Sequence, residues 1–523
     1  MKSLAVLVGA ALLLAAASIA RAGEPDVVLL DSGPVRGRVV DGVRQFLGIP
    51  YAAPPLGALR WKAPRPVESW TQPRDCAEFG PACPQPRRSP DGRYDEDCLT
   101  LNVWIPAQPA ASRLPTMVWI HGGAFNFGSS SQPEYNGSQL ARQGVTVVTL
   151  NYRLGPLGFF VHPQLEAESG PDGAGNYGLL DQIAALDWVR RNIAAFGGDP
   201  ANVTVFGQSA GSRSVSLLLI SPLSRGLFHK AIAQSGGPIL GSEYLNPVFN
   251  GDRDNVARMG QELAARLGCN ATADVLAALR AKTALELVDS AACSTSLFDE
   301  GLFFAPVFGG RVLPDNPLTA FTTGRYHDVP VIVGSTGNEG TLYLTGEKGL
   351  TLERYAAFIQ ARFGVRTADA LRQFPAAEAA DVPRAIDHFL TVAANAHPAR
   401  VVARSVTQHG GKAWLYQFTR KPDTALGRRL GAHHGVDIAY VFGTMDRADG
   451  YADADFELSQ QMMGYWVQFA ATGDPNAAGL PVWPAFDPVA EMSLEFGDSV
   501  TLGQHLYRED CIFLDQVSRF RQR

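Results

Sequence analysis

The sequence predicts an α/β protein with a large, mostly parallel central sheet flanked by helices and interrupted by long insertions. Three observations predict it. Short β-branched runs at 116–120 (TMVWI), 145–150 (VTVVTL), 203–206 (VTVF) and 329–333 (VPVIV) have the apolar character of strands buried on both faces. Between them lie helical periodicities. The clearest sets Leu179, Ile183, Leu186, Val189 and Ile193 at steps of three and four, and it stops near Phe196-Gly197-Gly198. Strand, crossover helix, strand is the pattern of a parallel sheet covered on both sides. Finally, no low-complexity linker, repeat or charge block divides the 523 residues, so a single domain over 23–523 is expected.

The first segment stands apart. Met1-Lys2-Ser3 leads into an apolar run from Leu4 to Ala17, then Ala20-Arg21-Ala22. One early charge, a short apolar stretch and an A-x-A site read as a secretory signal over 1–22, cleaved after Ala22. Its loss would take the formal charge from −6 to −8, because Lys2 and Arg21 leave with no acid. No later run approaches the roughly 18 apolar residues of a membrane span. The mature chain is therefore expected to be secreted or periplasmic, with no membrane span. It carries no basic stripe, so nucleic acid is not an expected partner. The oligomeric state is left open.

Six cysteines in an exported chain point to disulfides. Cys83 and Cys98 flank one short segment and Cys269 and Cys293 another, each able to close a local loop; Cys76 and Cys511 are left over and could tie the tail to the N-terminal region. Connectivity stays open at this level. No CxxC or HExxH occurs, and adjacent His433-His434 are poorly spaced as ligands on one face, so no metal site is expected.

The most specific motif comes directly after the run at 203–206. Gly207-Gln208-Ser209-Ala210-Gly211 joins that strand to an apolar helical stretch around Val215–Leu219. A serine on a strand-to-helix turn, with glycines two residues to either side, is the nucleophile elbow of an α/β-hydrolase. A Cβ at either glycine would strike the neighbouring strand or helix. Ser209 then stands at the positive end of the next helix.

A serine needs a base, and the base a carboxylate, in the chain order Ser, acid, His. His434 lies in the glycine-flanked loop His433-His434-Gly435, after the strand-like run at 413–418 (AWLYQF). Glu339 lies in Gly334-Ser335-Thr336-Gly337-Asn338-Glu339-Gly340, where another strand end dissolves into a loop; position alone does not single it out among many acids. His121-Gly122-Gly123-Ala124-Phe125 comes directly after the run at 116–120. Its consecutive glycines let backbone N–H groups of Gly123 and Ala124, together with that of Ala210, face the serine as an oxyanion hole.

With these residues assembled, the chain resembles the type-B carboxylesterase family, which includes cholinesterases and bacterial para-nitrobenzyl esterases. The likeness rests on Phe46–Ala52, Pro54–Arg60, Glu96–Val103, Phe196–Pro200 leading into the elbow, Asn338-Glu339-Gly340, His434–Asp437, Gly473–Asn476 and Trp483-Pro484. The resemblance implies a Ser209–Glu339–His434 triad, a hole of Gly123, Ala124 and Ala210, disulfides Cys83–Cys98 and Cys269–Cys293, and no cofactor. It implies a serine carboxylesterase that hydrolyses small-molecule esters through an acyl-enzyme. A lipase, a feruloyl or polyester hydrolase, or a carbamate or amide hydrolase would use the same residues. A non-catalytic relative would be expected to lack a triad member.

Three departures from the family pattern bear on specificity. Gln208 stands where many relatives carry glutamate, which removes a negative charge beside the histidine. The Cys83–Cys98 segment has no tryptophan and carries Arg87, Arg88 and Arg93, so the indole that cholinesterases offer to choline is absent there. The hole reads Gly-Gly-Ala, as in the para-nitrobenzyl esterase type. Acyl-pocket residues are expected around Gly236-Gly237-Pro238-Ile239-Leu240. Asn136, Asn202 and Asn270 open N-x-S/T sequons, Asn202 being poorly placed before a buried strand.

Overall fold

The computed structural model describes residues 26–86, 92–108, 110–170, 173–237, 253–292, 297–298 and 301–521. The expected signal segment, Arg87, Arg88, Cys293 and residues 238–240 lie outside this set. In chain order the strands are β1 (Val27–Leu29), β2 (Pro34–Arg36), β3 (Arg38–Val40), β4 (Val43–Pro50), β5 (Arg74–Asp75), β6 (Thr100–Pro106) and β7 (Leu114–Ile120). They continue with β8 (Thr146–Leu150), β9 (Gly198–Gln208), β10 (Lys230–Gln234), β11 (Val331–Thr336), β12 (Ala413–Phe418), β13 (Met492–Phe496) and β14 (Val500–Gln504). β1, β2 and β5 make a small sheet, and the other eleven form one large sheet in the order β14-β13-β12-β11-β10-β9-β7-β8-β6-β4-β3. From β13 across to β8 every pairing is parallel, and antiparallel pairs finish both edges.

The sheet is covered on both faces because its strands alternate two apolar sets. Along β7, Val118 and Ile120 join one core cluster while Met117 and Trp119 join a second. The same switch divides Val205 from Phe206, Ala231 from Ile232, and Val331 from Ile332. Successive side chains of a strand point to opposite faces, so a continuous apolar run fills two cores.

Seven helices build or support the site: α1 (Tyr177–Asn192), α2 (Ala210–Ile220), α3 (Val382–Leu390), α4 (His397–Gln408), α5 (Asp437–Phe442), α6 (Asp453–Thr472) and α7 (Arg508–Arg521). Residues of α1, α2 and α4 contribute to the first cluster, and α5 and α6 to the second. There Trp119 packs edge-on against Phe206 and Phe442, with ring centroids 4.9 and 5.0 Å apart. α3 and α7 enclose a third cluster with Phe374, Phe389 and Phe513.

Two sequence expectations are adjusted. The run at 203–206 extends to Gly198–Gln208, because Gly198 already pairs with Leu114 of β7. The helix α1 is buried beyond its apolar stripe: Asp181 is fully buried because it receives both the backbone N–H and the guanidinium of Arg153, at 2.7–3.0 Å. Cys83 and Cys98 are bridged. Cys76 and Cys511 are not joined: each is a buried thiol in a different apolar cluster, with its pKa pushed up to about 12 by burial. Cys269 is buried, and its expected partner Cys293 lies outside the described residues.

Candidate active site

β9 ends at Gln208 and α2 begins at Ala210, so Ser209 is the single residue of the turn, with φ 59° and ψ −122°. That conformation is unfavourable for a non-glycine residue, and the surrounding structure holds it. The Ser209 N–H donates to the Gln234 carbonyl at the end of β10 (2.9 Å). Both flanking glycines are required: a Cβ on Gly211 would lie 1.9 Å from the Ile120 carbonyl oxygen, and one on Gly207 would lie 2.7 Å from the same atom. Ser209 keeps 8% of its surface and lines a cavity of about 1040 Å³ with Gly123, Ala124, Gln208, Tyr343 and His434. Leu342 and Leu426, which also line it, are 40% and 49% exposed, so the cavity opens to the surface.

The loop after β7 is wound tightly beside the serine. Gly123, Ala124 and Phe125 all have positive φ (111°, 52° and 61°). The carbonyl of Gly123 accepts from the N–H groups of Asn126 and Phe127 (2.9 and 3.0 Å), which closes the turn. The N–H groups of Gly123, Ala124 and Ala210 have no acceptor among the described residues. His121 anchors this loop. Its Nδ1 bonds the Gly122 carbonyl at 2.7 Å, and its ring stacks on Tyr152 at 4.5 Å. Burial lowers its pKa to about 4, so it is a neutral structural group at ordinary pH. Gln85, inside the Cys83–Cys98 loop, exchanges two hydrogen bonds with the backbone of Gly128 (2.8 and 2.9 Å), clamping the far end of the same turn.

Glu339 and His434 arrive on loops that are stapled together. Asn338 donates its N–H to the Ala432 carbonyl (2.9 Å), and its side-chain oxygen accepts from the Ala432 N–H (3.1 Å). Asp387 of α3 accepts from Gly340 N–H and from Asn338 Nδ2, each at 2.8 Å. Thr391 opens a buried π-helical turn, Thr391–Ala396, that joins α3 to α4; its hydroxyl accepts the Glu339 N–H at 3.0 Å. Such turns recur at functional sites because they aim a side chain out of the helical ladder. Glu339 itself is fully buried. One carboxylate oxygen accepts from Thr336 N–H at 2.7 Å, and the other meets His434 Nδ1 at 2.5 Å.

The sequence-predicted residues are therefore assembled unequally. Ser209, His434, Gly123 and Ala124 share one cavity wall, Ala210 adjoins the serine, and Glu339 stands behind the imidazole. Ser209 and His434 are not hydrogen-bonded to each other. The imidazole Nε2 instead meets Nε2 of Gln208 at 3.3 Å. With Nδ1–H donated to Glu339, Nε2 carries the lone pair, and the Gln208 amide donates to it. The Ser209 hydroxyl interacts with Tyr343, whose ring lies 5.6 Å from that of His434. Sequence reasoning marks Gln208 as a missing charge and does not foresee this contact. Tyr343, Asp387 and Thr391 carry no motif to announce them.

The Carboxylesterase family profile matches residues 24–514. The chain belongs to the carboxylesterase family. It is a carboxylic ester hydrolase with the α/β-hydrolase fold, as the resemblance implied. The chain is 36% identical to fumonisin B1 esterase of Sphingopyxis macrogoltabida over 501 residues, covering 93% of this chain and 89% of that protein. It is also 36% identical to para-nitrobenzyl esterase of Bacillus subtilis (strain 168), over 91% of this chain and 96% of that one. Among solved structures, a PNB esterase superposes with a TM-score of 0.82 at 34% identity, over 94% of this chain and all of that one.

Proposed function

We propose that this carboxylesterase-family protein is an exported single-domain serine esterase that works through Ser209, His434 and Glu339. Ser209 attacks the ester carbonyl while His434 Nε2 takes its proton, and the N–H groups of Gly123, Ala124 and Ala210 hold the oxyanion. His434 then protonates the departing alcohol, and water repeats the sequence on the acyl-enzyme. The observation that carries this reading is the 2.5 Å contact of Glu339 with His434 Nδ1, which leaves Nε2 facing the cavity that Ser209 lines. The free N–H groups add support, since one such donor is worth roughly 10²–10³ in turnover. Attack requires the Gln208 amide to yield the Nε2 lone pair to the Ser209 hydroxyl. No cofactor enters these steps.

Export is supported by the pattern of residues 1–22 and by the Cys83–Cys98 bridge, a bond that persists in oxidising compartments. Quaternary ammonium esters are not expected substrates, since the Cys83–Cys98 segment carries no indole. The para-nitrobenzyl and para-nitrophenyl esters are the first assay substrates. Ser209→Ala is expected to abolish their turnover and the labelling of the protein by an organophosphate, with the circular-dichroism spectrum unchanged. Substantial residual turnover would reject the mechanism.

A further inference from the structure

Five arginines are buried among the described residues, and four have evident partners. Arg60 pairs with Glu96, Arg153 with Asp181 and Arg400 with Glu491, while Arg362 donates to the Phe358 carbonyl and lies 3.5 Å above its ring. Arg213 is the exception. It is 5% exposed and has neither an ion pair nor a hydrogen bond among the described residues. Its Nε is sealed without an acceptor. A buried, unpaired guanidinium is costly, and proteins seldom retain one without a use.

Its position suggests the use. Arg213 is the fourth residue after Ser209 and lies on α2, which starts at Ala210, so it shares the serine's helix face. Helical side chains lean toward the N-terminus, which tips the guanidinium back toward the elbow. Its charge is coupled electrostatically to Tyr343, which lines the cavity together with Ser209, and to Glu339. Glu339 does not bond it, because both carboxylate oxygens are engaged by Thr336 and His434. A fixed cation, the positive end of α2 and a phenol thus converge beside the nucleophile, and all three favour an anion.

We propose that Arg213 and the Tyr343 hydroxyl form a carboxylate subsite beside Ser209, so that the enzyme prefers esters bearing a free carboxylate close to the scissile carbonyl, such as hemiesters of dicarboxylic acids. The subsite rests on the ester-hydrolase reading and specifies its substrate class. The guanidinium holds the carboxylate through charge-assisted hydrogen bonds and thereby positions the carbonyl over the hole.

The test compares kcat/KM of the purified protein for monoethyl glutarate and ethyl pentanoate, which differ in the terminal carboxylate. A second pair, 4-acetoxybenzoate and phenyl acetate, places the carboxylate on the alcohol side. The wild type is expected to favour the anionic member of one pair by roughly 10- to 100-fold, the value of a hydrogen-bonded charge, and the responding pair identifies the side. Arg213→Met should erase that preference mainly through KM, and Arg213→Lys should restore part of it. Glutarate should inhibit competitively and glutaramide should not. Equal rates within both pairs, or a proportional fall on all esters in Arg213→Met, would overturn the subsite and leave Arg213 as a support for Glu339. If no ester turns over and Ser209 resists an organophosphate, the hydrolase reading itself fails and takes the subsite with it.

Discussion

At the scale of single residues, the point of control is the group that meets His434 Nε2. The Gln208 amide donates to that nitrogen from 3.3 Å and carries no charge. A glutamate at the same distance would stabilise the imidazolium, and an opposite charge so close shifts such an equilibrium by about one to three pH units. In the proposed mechanism the imidazole must be neutral to accept the Ser209 proton. Gln208→Glu is therefore expected to move the acid limb of the kcat/KM profile to higher pH by about one unit or more and to lower activity near pH 6. A pH–rate profile on a neutral ester measures this, and an unmoved limb would show that the position 208 side chain leaves Nε2 during turnover.

At the scale of elements, the loops that carry Glu339 and His434 are held by the helix and turn packed beneath them. Asp387 of α3 satisfies two donors of the Asn338–Gly340 loop, and a Cβ on Gly340 would come 2.5 Å from the Asp387 Cα. Asp387→Ala strands both donors, at about 1–3 kcal/mol each. The expected result is a lower melting temperature with kcat falling more than KM rises, since Asp387 does not line the cavity of Ser209. Steady-state kinetics beside a thermal scan checks it, and unchanged kcat would mean that the loop holds its shape without the staple. The same loop shows how far the sequence alone is legible. Ser209 can be read from it because it comes directly after an apolar strand run and sits between glycines; Glu339 and His434 share that local signal more weakly, and it is the family resemblance that singles Glu339 out among many acids. Asp387 and Thr391 cannot, because they act from a helix and a π-turn some fifty residues away, and their role exists only once these pack against the loop that follows β11. Tyr343 lies only four residues after Glu339 but is hidden too, because no motif marks it. Arg213 leaves a trace: it is a lone cation in a helix otherwise made of small and apolar residues, Ala210–Ile220, all of them buried. The sheet order is likewise beyond reach, since parallel runs of similar composition do not specify their neighbours.

At the scale of the whole molecule, Asp437 shows how the site is tied into the core and where that tie costs stability. It opens α5, and its Oδ2 accepts from Gln234 Nε2 of β10 and from the Tyr416 hydroxyl of β12, each at 3.0 Å. The side-chain oxygen of Gln234 in turn accepts from the Trp466 indole of α6 (3.3 Å), so one carboxyl group links sheet and helices across the second core. The other oxygen, Oδ1, is buried without a partner. Burial raises the Asp437 pKa from 3.8 to about 6, against the opposing pull of its two hydrogen bonds. The sign comes from proton linkage. Between these two values the folded protein keeps a proton that the unfolded chain has lost, so stability falls as pH rises from about 4 to about 6 and is constant above. The full effect is about 3 kcal/mol. His121 runs the other way: its lowered pKa means that stability is lost as pH falls from 6.5 toward about 4. The two opposing terms flatten the stability profile of the wild type, but only a change at 437 separates them. Asp437→Asn keeps an oxygen for Gln234 and Tyr416 and removes the ionisation. Relative to wild type, its apparent melting temperature at a fixed scan rate should gain progressively between about pH 4 and about pH 6 and hold that gain above, while the His121 contribution cancels in the difference. A difference that stays flat across that window would mean that Asp437 ionises at its ordinary pH, and that the buried oxygen reaches solvent.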